Sequence, residues 1–387
     1  MIYLDNAATT QISEPVLKEM LPFLYDQYGN ASSAYDLGMK PRKAIEQARK
    51  YVAELINAEP EEIYFTSGGS EANNWAIKGT WFSDNPICIG ADEIITSNIE
   101  HPSVINAVEH IEYYHGAESV FLPVAKDGIL QPIPFVTADF DNIFMVSVMF
   151  ANNEIGTIQP IEKIGKMCRE HNVLLHTDAV QAFGQIPIDV KKMNIDMLSA
   201  SGHKIHAPKG VGCLYIRKGI SISPLIHGGH QENGMRAGTE NVAAIAGFGE
   251  AAYQAKRTMR KRMKKITTVR NYIWERIKRD IDHCFVNGDM VKRLPGNLNI
   301  TFEGIDGESL VSMLNNCKDP ICISAGSACT SGSRTPSHVL KAIGLTDQQA
   351  MSTVRLTLDE KLTLDDANYV VDSIKKCVER LRGYGNV

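Results

Sequence analysis

Short apolar runs alternate with helix-patterned segments through the first two-thirds of the chain, and this alternation limits the fold more than any other feature. Residues 41–56 place Ala44, Ile45, Ala48, Val52, Leu55 and Ile56 at helical spacing, with Pro41 suited to a first turn. Ile63-Tyr64-Phe65-Thr66 reads as a strand that passes through a Gly/Ser turn into a helix from Glu71. Ile94-Ile95-Thr96 leads into a loop carrying His101. Residues 144–150 read as a strand, followed by Asn152-Asn153-Glu154-Ile155-Gly156. A helix over Ile161–Glu170 and strands over 173–177 and 196–199 continue the pattern. Repeated strand–helix units predict an α/β domain with a mainly parallel sheet closed over on both faces.

The text changes near residue 255. Residues 256–279 hold eleven basic residues and one acidic residue, Glu275. This reads as a long exposed helix leaving the sheet domain, either a solvated face or a docking surface for an acidic partner. A strand over Asn297–Phe302 and a mixed α+β tail follow. The expected division is a large domain over 15–255 and a smaller one over 256–387, with residues 1–14 packing on the latter. A chain of 387 residues accommodates two or three domains.

Net charge is −5, which gives no global attraction to nucleic acid or an anionic membrane. The first residues lack the basic and apolar regions of a signal peptide, and the longest apolar stretch, 143–151, is far too short to span a bilayer. The expectation is a soluble, cytoplasmic protein. None of the eight cysteines forms a Cys-x-x-Cys pair, which argues against structural zinc. The pairs His203/His206 and His227/His230 have ligand-like spacing but no Cys partners, so no intrinsic metal is expected.

Three features bear on chemistry. In Thr66-Ser67-Gly68-Gly69-Ser70-Glu71 a strand end meets a helix start, so the turn is either a plain connection or an anion site made by free amides and the helix dipole. Asp178 lies just past a buried strand, where it either caps a helix or pairs with a cationic ring nitrogen; Gln181 lies one turn later. Ser199-Ala200-Ser201-Gly202-His203-Lys204 delivers a lysine to a strand end after donors suited to a phosphate. A surface lysine is the ordinary reading, but the position also fits an imine-forming residue. An imine lysine, an acidic partner for a pyridine nitrogen and an anion site are what pyridoxal 5'-phosphate requires. Together the three features are far more specific than any one of them.

Two further elements stand apart. Ser324 to Ser333 surrounds the lone Cys329 with small residues, a composition that buries little apolar surface and predicts an exposed loop. An unperturbed thiol is only a few per cent thiolate at neutral pH, so a neighbouring cation or base such as His101 or Arg334 would help it. Arg355 lies in an alternating strand and suits either capture of a carboxylate or a structural ion pair.

These residues bring a family into view. The chain resembles the NifS/IscS group of cysteine desulfurases, fold-type I pyridoxal-phosphate enzymes of the class V aminotransferase family. The match runs through Tyr3 to Thr10, Gly29 to Ser33, the Thr66–Glu71 turn, Glu100-His101, Asn152 to Gly156, Asp178 to Gln181, Ser201 to Lys204, Arg236 to Thr239 and Gly326 to Ser331. The long Cys329 segment is similar to that branch rather than to the SufS branch. The resemblance implies a large domain with a mainly parallel seven-stranded sheet flanked by helices, plus a smaller α+β domain.

It also implies roles. Lys204 would carry the cofactor, Asp178 would pair with its ring nitrogen, and Gln181 and Asn153 would position it. His101 would stack on the ring and serve as acid or base. Gly69, Ser70, Ser201 and His203 would hold the phosphate, with Thr239 reaching it from the other subunit of a homodimer. Asn30 and Arg355 would bind the carboxylate of L-cysteine. Cys329 would accept sulfur as a persulfide, pass it to an iron–sulfur scaffold or another acceptor protein, and transiently ligate a cluster there. Ala31 and Ala237 replace the usual proline and serine, and the chain ends soon after Tyr384, short of the segment that docks the scaffold in housekeeping members. Rival readings are a selenocysteine lyase, another class V aminotransferase, or a non-enzymatic sulfur-relay partner.

Overall fold

The computed structural model describes residues 1–131, 140–330 and 333–384. Strand β1 (Ile2–Tyr3) precedes helices α1 (Glu14–Leu24) and α2 (Asp36–Ile56). A seven-stranded sheet follows: β2 (Ile63–Thr66), β3 (Glu93–Ser97), β4 (Glu118–Leu122), β5 (Ile143–Ser147), β6 (Leu174–Asp178), β7 (Met197–Ser201) and β8 (Gly212–Ile216). Its order is β2-β8-β7-β6-β5-β3-β4, and only β8 runs antiparallel to its neighbours. The expected mainly parallel seven-stranded sheet is thus observed.

Every residue of β5, β6, β7 and β8 is buried, because helices cover both faces. Alternation assigns the faces: Leu174 joins one core with Trp75 of α3 (Gly69–Trp81) and Val104 of α4 (Pro102–His115). Leu175 joins the other, with Val52 of α2 and Ile164 of α5 (Ile161–Glu170). From β3 the chain steps outward to β4, then returns beside β3 as β5 and continues to β6 and β7. The loops after β3 and β5 therefore diverge and open a crevice at the carboxyl ends of the strands, the usual ligand position in such sheets.

Helix α6 (Val242–Asp280) has 39 residues and begins well before the basic run expected to define it. Its first turns are almost all Ala, Gly, Ile and Phe and are buried on every side, so they show no helical period in sequence. Gly249 is required there, since a Cβ would lie 2.4 Å from the Ala48 Cα of α2. The later half is not simply exposed: Met259, Ile266, Val269, Ile273 and Ile277 are buried, and so is Arg270 among the basic residues.

The remaining elements are β9 (Cys284–Val286), β10 (Asn297–Phe302), α7 (Gly307–Asn315), β11 (Ile321–Cys322), β12 (Ser324–Ala325), β13 (Ser327–Thr330), β14 (Ser333–Pro336), α8 (His338–Ala342), α9 (Asp347–Met351), β15 (Thr353–Thr357) and α10 (Leu364–Tyr384). A second sheet has the order β12-β15-β10-β9, and β1 pairs with β11 in parallel. A separate core gathers Leu4, Ile273, Ile300, Leu356 and Ile374. Among the described residues, no helix is long and apolar enough to cross a membrane.

The Cys329 segment, expected as a loop, contains a two-stranded ribbon in which β13 pairs antiparallel with β14 and Cys329 faces Arg334. Ladder hydrogen bonds use backbone groups, so small hydroxyl-bearing side chains suffice and leave no apolar alternation to read. The Cys329 thiol and the Arg334 side chain lie outside the described atoms, and Ser331 and Gly332 lie outside the described residues.

Candidate active site

A cavity of about 340 Å³ occupies the crevice at the strand ends. Gly69 and Ser70 reach it from the start of α3, Asp178 from the end of β6, and Ser201, His203 and Lys204 from the end of β7 and the short turn that follows. His101, Asn153, Gln181 and Arg355, also expected from sequence, line it too. Asn30 and Thr239 are not part of the lining: both are exposed, and the Asn30 side chain accepts from the Ser32 amide at 2.8 Å. The Cys329 side chain lies outside the described atoms.

Local structure fixes each group. A Cβ on Gly69 would lie 2.4 Å from Val180 Cγ2, so a glycine lets the first turn of α3 approach the Asp178 segment. No side chain caps that helix, which leaves its N-terminal amides and the positive end of its dipole facing the cavity. Asp178 is buried; its Oδ1 accepts from the Val180 amide at 2.9 Å and its Oδ2 from Asn73 Nδ2 at 2.7 Å. It therefore braces the turn after β6, where among the described residues no helix follows for it to cap, and also lines the cavity.

Lys204 Nζ donates to the Ala7 and Ala8 carbonyls at 2.6 and 2.7 Å. Burial, helped by the Arg355 cation, pulls its amine down to about 8, while Asp5 and Asp178 oppose the shift. An amine so placed is far more available as a nucleophile near neutral pH than a surface lysine. Burial, with Lys204 and Lys209, lowers His203 to about 4, so its ring is neutral at pH 7 and can donate only one hydrogen bond. Burial also lowers His101. The Ser103 amide lies 3.1 Å from His101 Nδ1 and must be the donor, so the neutral ring carries its proton on Nε2.

Arg355 makes the structural ion pair that is one of its two readings and also lines the cavity. One guanidinium nitrogen donates to Asp5 Oδ1 at 2.8 Å and Ser324 Oγ at 3.0 Å, and the other to the Asn153 carbonyl at 3.0 Å. Its Nε is buried and has no partner among the described residues, and the group lines the cavity. The side chain is thus braced on its outer edge and keeps donor capacity.

Sequence reasoning missed Asn73. Its Nδ2 lies within hydrogen-bonding distance of both Asp178 Oδ2 and Ser103 Oγ, at 2.7 and 2.9 Å, linking the carboxylate to the start of α4. The available signal was a polar residue on the buried stripe of α3 beside Ala72, Ala76 and Ile77. Glu71 was also missed: it accepts from the Ser67 amide and from both ends of the Arg236 guanidinium at 2.8 and 3.0 Å. Arg236 thereby ties the loop of Thr239 to α3. Among the described residues, no group of three His, Cys, Asp or Glu side chains forms a metal site.

Fold and cavity together are those of an aminotransferase-like α/β enzyme. The family model described as aminotransferase class-V matches residues 2–370. The "Cysteine desulfurase IscS" of Clostridium botulinum is 45% identical over 383 residues, covering 98% of this chain and 95% of that protein. A solved "NifS-like protein" superposes with a TM-score of 0.90 at 34% identity, over 98% of this chain and 100% of its own. A structure described as SspA in complex with cysteine matches at 37% identity and a TM-score of 0.80, over 92% of this chain and 99% of its own. The chain belongs to the class V aminotransferase family, in the branch that holds these NifS/IscS-type cysteine desulfurases. None of these matches favours the rival readings.

Proposed function

We propose that the chain is a cysteine desulfurase that binds pyridoxal 5'-phosphate in the cavity and converts L-cysteine to L-alanine, leaving the sulfur on Cys329. The observation that carries the reading is the convergence of Lys204, Asp178 and the uncapped start of α3 on one cavity. The donor set fits the cofactor. Free amides at Gly69 and Ser70, with Ser201 and His203, suit a phosphate, and Asp178 suits a protonated ring nitrogen. When bound, the cofactor supplies an electron sink for charge that develops at the substrate Cα.

The residues divide the remaining work. Lys204 would anchor the cofactor, and its buried amine would hold or return a proton at the substrate Cα. His101, whose Nδ1 accepts from the Ser103 amide, would donate through Nε2 and serve as an acid–base partner. Gln181 and Asn153 orient the cofactor, and Arg355 with Asn30 binds the substrate carboxylate. The Cys329 thiolate attacks the substrate sulfur: a sulfur–sulfur bond forms, the carbon–sulfur bond breaks with its electron pair on carbon, and protonation gives alanine. The resulting persulfide passes to an iron–sulfur scaffold or another sulfur-acceptor protein.

The same reading makes the protein a cytoplasmic homodimer in which Thr239 serves the partner's phosphate site. Thr239 is exposed and outside its own chain's cavity, and α1 and the turn after it expose Leu17, Leu21, Leu24, Tyr25 and Tyr28. The test is product analysis of the purified holoenzyme with L-cysteine and a thiol reductant. Equal amounts of alanine and sulfide are expected; a keto acid would refute the reading.

A further inference from the structure

The ribbon carrying Cys329 has two feet, and both stand on the candidate active site. The incoming foot is β12: Ser324 pairs with Arg355 of β15, and Ser324 Oγ donates to Asp5 Oδ1 at 2.7 Å and lies 3.0 Å from an Arg355 nitrogen. Gly326 then packs so closely that a Cβ would lie 2.8 Å from Leu340 Cδ1 and 3.0 Å from the Ala350 carbonyl oxygen. The outgoing foot is Ser337-His338. The Ser337 amide donates to the Gly326 carbonyl at 3.3 Å, which closes the two feet on each other.

Two contacts of the outgoing foot reach the cofactor domain. Ser337 Oγ donates to Glu154 Oε2 at 2.5 Å, next to Asn153. His338 Nε2 lies 3.0 Å from the carbonyl oxygen of Glu100, the residue before His101. A carbonyl only accepts, so His338 carries a proton on Nε2 and donates it. Glu100 is itself immobilised: it is 1% exposed, and its Oε1 accepts from Ser97 Oγ at 2.6 Å and the Met149 amide at 2.8 Å. The loop that presents His101 and the base of the ribbon that presents Cys329 therefore meet through one side chain, His338.

We infer that His338 is a positioning residue for sulfur transfer, holding the base of the Cys329 ribbon in register with the Glu100-His101 loop. This rests on the desulfurase reading above. The bond reaches the backbone beside His101 while His338 itself does not line the cavity, so it should act on the encounter of thiol and substrate sulfur and leave cofactor binding largely intact. Misplacement of reacting groups by a fraction of a bond length to about 1 Å costs roughly tenfold to a hundredfold in rate.

The test compares wild type, His338→Ala and His338→Gln holoenzymes. Measured are cofactor absorbance, the spectral change on adding L-cysteine, KM and kcat for alanine release, and the single-turnover rate of persulfide formation on Cys329. His338→Ala should lower kcat and the persulfide rate about tenfold or more, leaving cofactor content, the spectral change and KM within about twofold. His338→Gln, which keeps a donor, should recover most of the loss. His338 is exposed, so the alanine variant should fold. An unchanged persulfide rate, or a loss matched by weakened cofactor binding, would overturn the inference. If wild type itself releases no alanine and sulfide, the desulfurase reading fails instead.

Discussion

The cavity and the Cys329 ribbon are built by opposite means. The cavity is set at the ends of fully buried strands, and most of its side chains have a second partner: Asp178 is held by Asn73, Arg355 by Asp5, and His101 by Ser103. The ribbon is two short strands that, among the described residues, pair with each other alone, on feet fixed by Gly326, Ser337 and His338. Rigid presentation suits a group that must meet a bound molecule in one geometry. A thin ribbon on a fixed base would suit the role proposed for Cys329, whose thiol would meet substrate and then an acceptor. The molecule thus pairs a cavity fixed by buried strands with a ribbon anchored at its feet.

The largest effects should separate the two regions. Lys204→Ala should remove both the cofactor's lysine-bound absorbance and turnover, whereas Cys329→Ser should keep the absorbance and lose turnover by about a thousandfold or more. Spectra and alanine assays on the same preparations test this; loss of absorbance in Cys329→Ser would erase the distinction. Asp178→Asn should follow, with turnover down about a hundredfold, equivalent to ~2.7 kcal/mol of barrier. Substitutions in the ribbon away from Cys329 should not approach that loss.

The pH dependence of cofactor loading should belong to the cavity alone. Lys204 attacks the cofactor only when neutral, and its folded value of about 8 lies below the ordinary lysine value. The loading rate of cofactor-free protein should therefore rise about tenfold per pH unit as pH climbs toward about 8 and level off above it. Arg355 lowers the Lys204 value, so Arg355→Gln should move that midpoint upward. A midpoint near that of free lysine would mean that burial does not set the amine.

Smaller effects come from the supports. Asn73→Ala should reduce turnover about threefold to tenfold, since Asp178 keeps its amide contact at Val180 but loses one donor worth about 1 kcal/mol. Ser337→Ala removes the acceptor for the Val339 and Leu340 amides at the start of α8 and should lower stability by about 1 kcal/mol. Thermal melting measures the latter; no change would show that the ribbon's base does not depend on this cap.

The same contrast explains what the sequence could reveal. Lys204, Asp178 and the Gly69-Ser70 turn sit where a strand ends or a helix begins, and those boundaries are written in local patterns. Asn73 acquires its importance only when β6 and α4 are folded against α3, which no single segment encodes. Arg355 looked equally like an ion-pair partner and a ligand group because it lines the cavity while bracing Asp5. The early turns of α6 were missed because burial on all sides removes periodicity. The ribbon was missed because backbone pairing asks little of its side chains. Asn30 and Thr239 entered by family resemblance, and neither reaches the cavity of its own chain.

The fate of the substrate sulfur tests the central claim most directly. Holoenzyme should be mixed with one equivalent of L-cysteine without reductant, alanine quantified, and the peptide containing Cys329 weighed by mass spectrometry. The expected result is alanine together with one added sulfur atom on the Cys329 peptide, released by later reductant. Alanine or a keto acid formed with no sulfur on that peptide would contradict the assignment of Cys329 as the carrier.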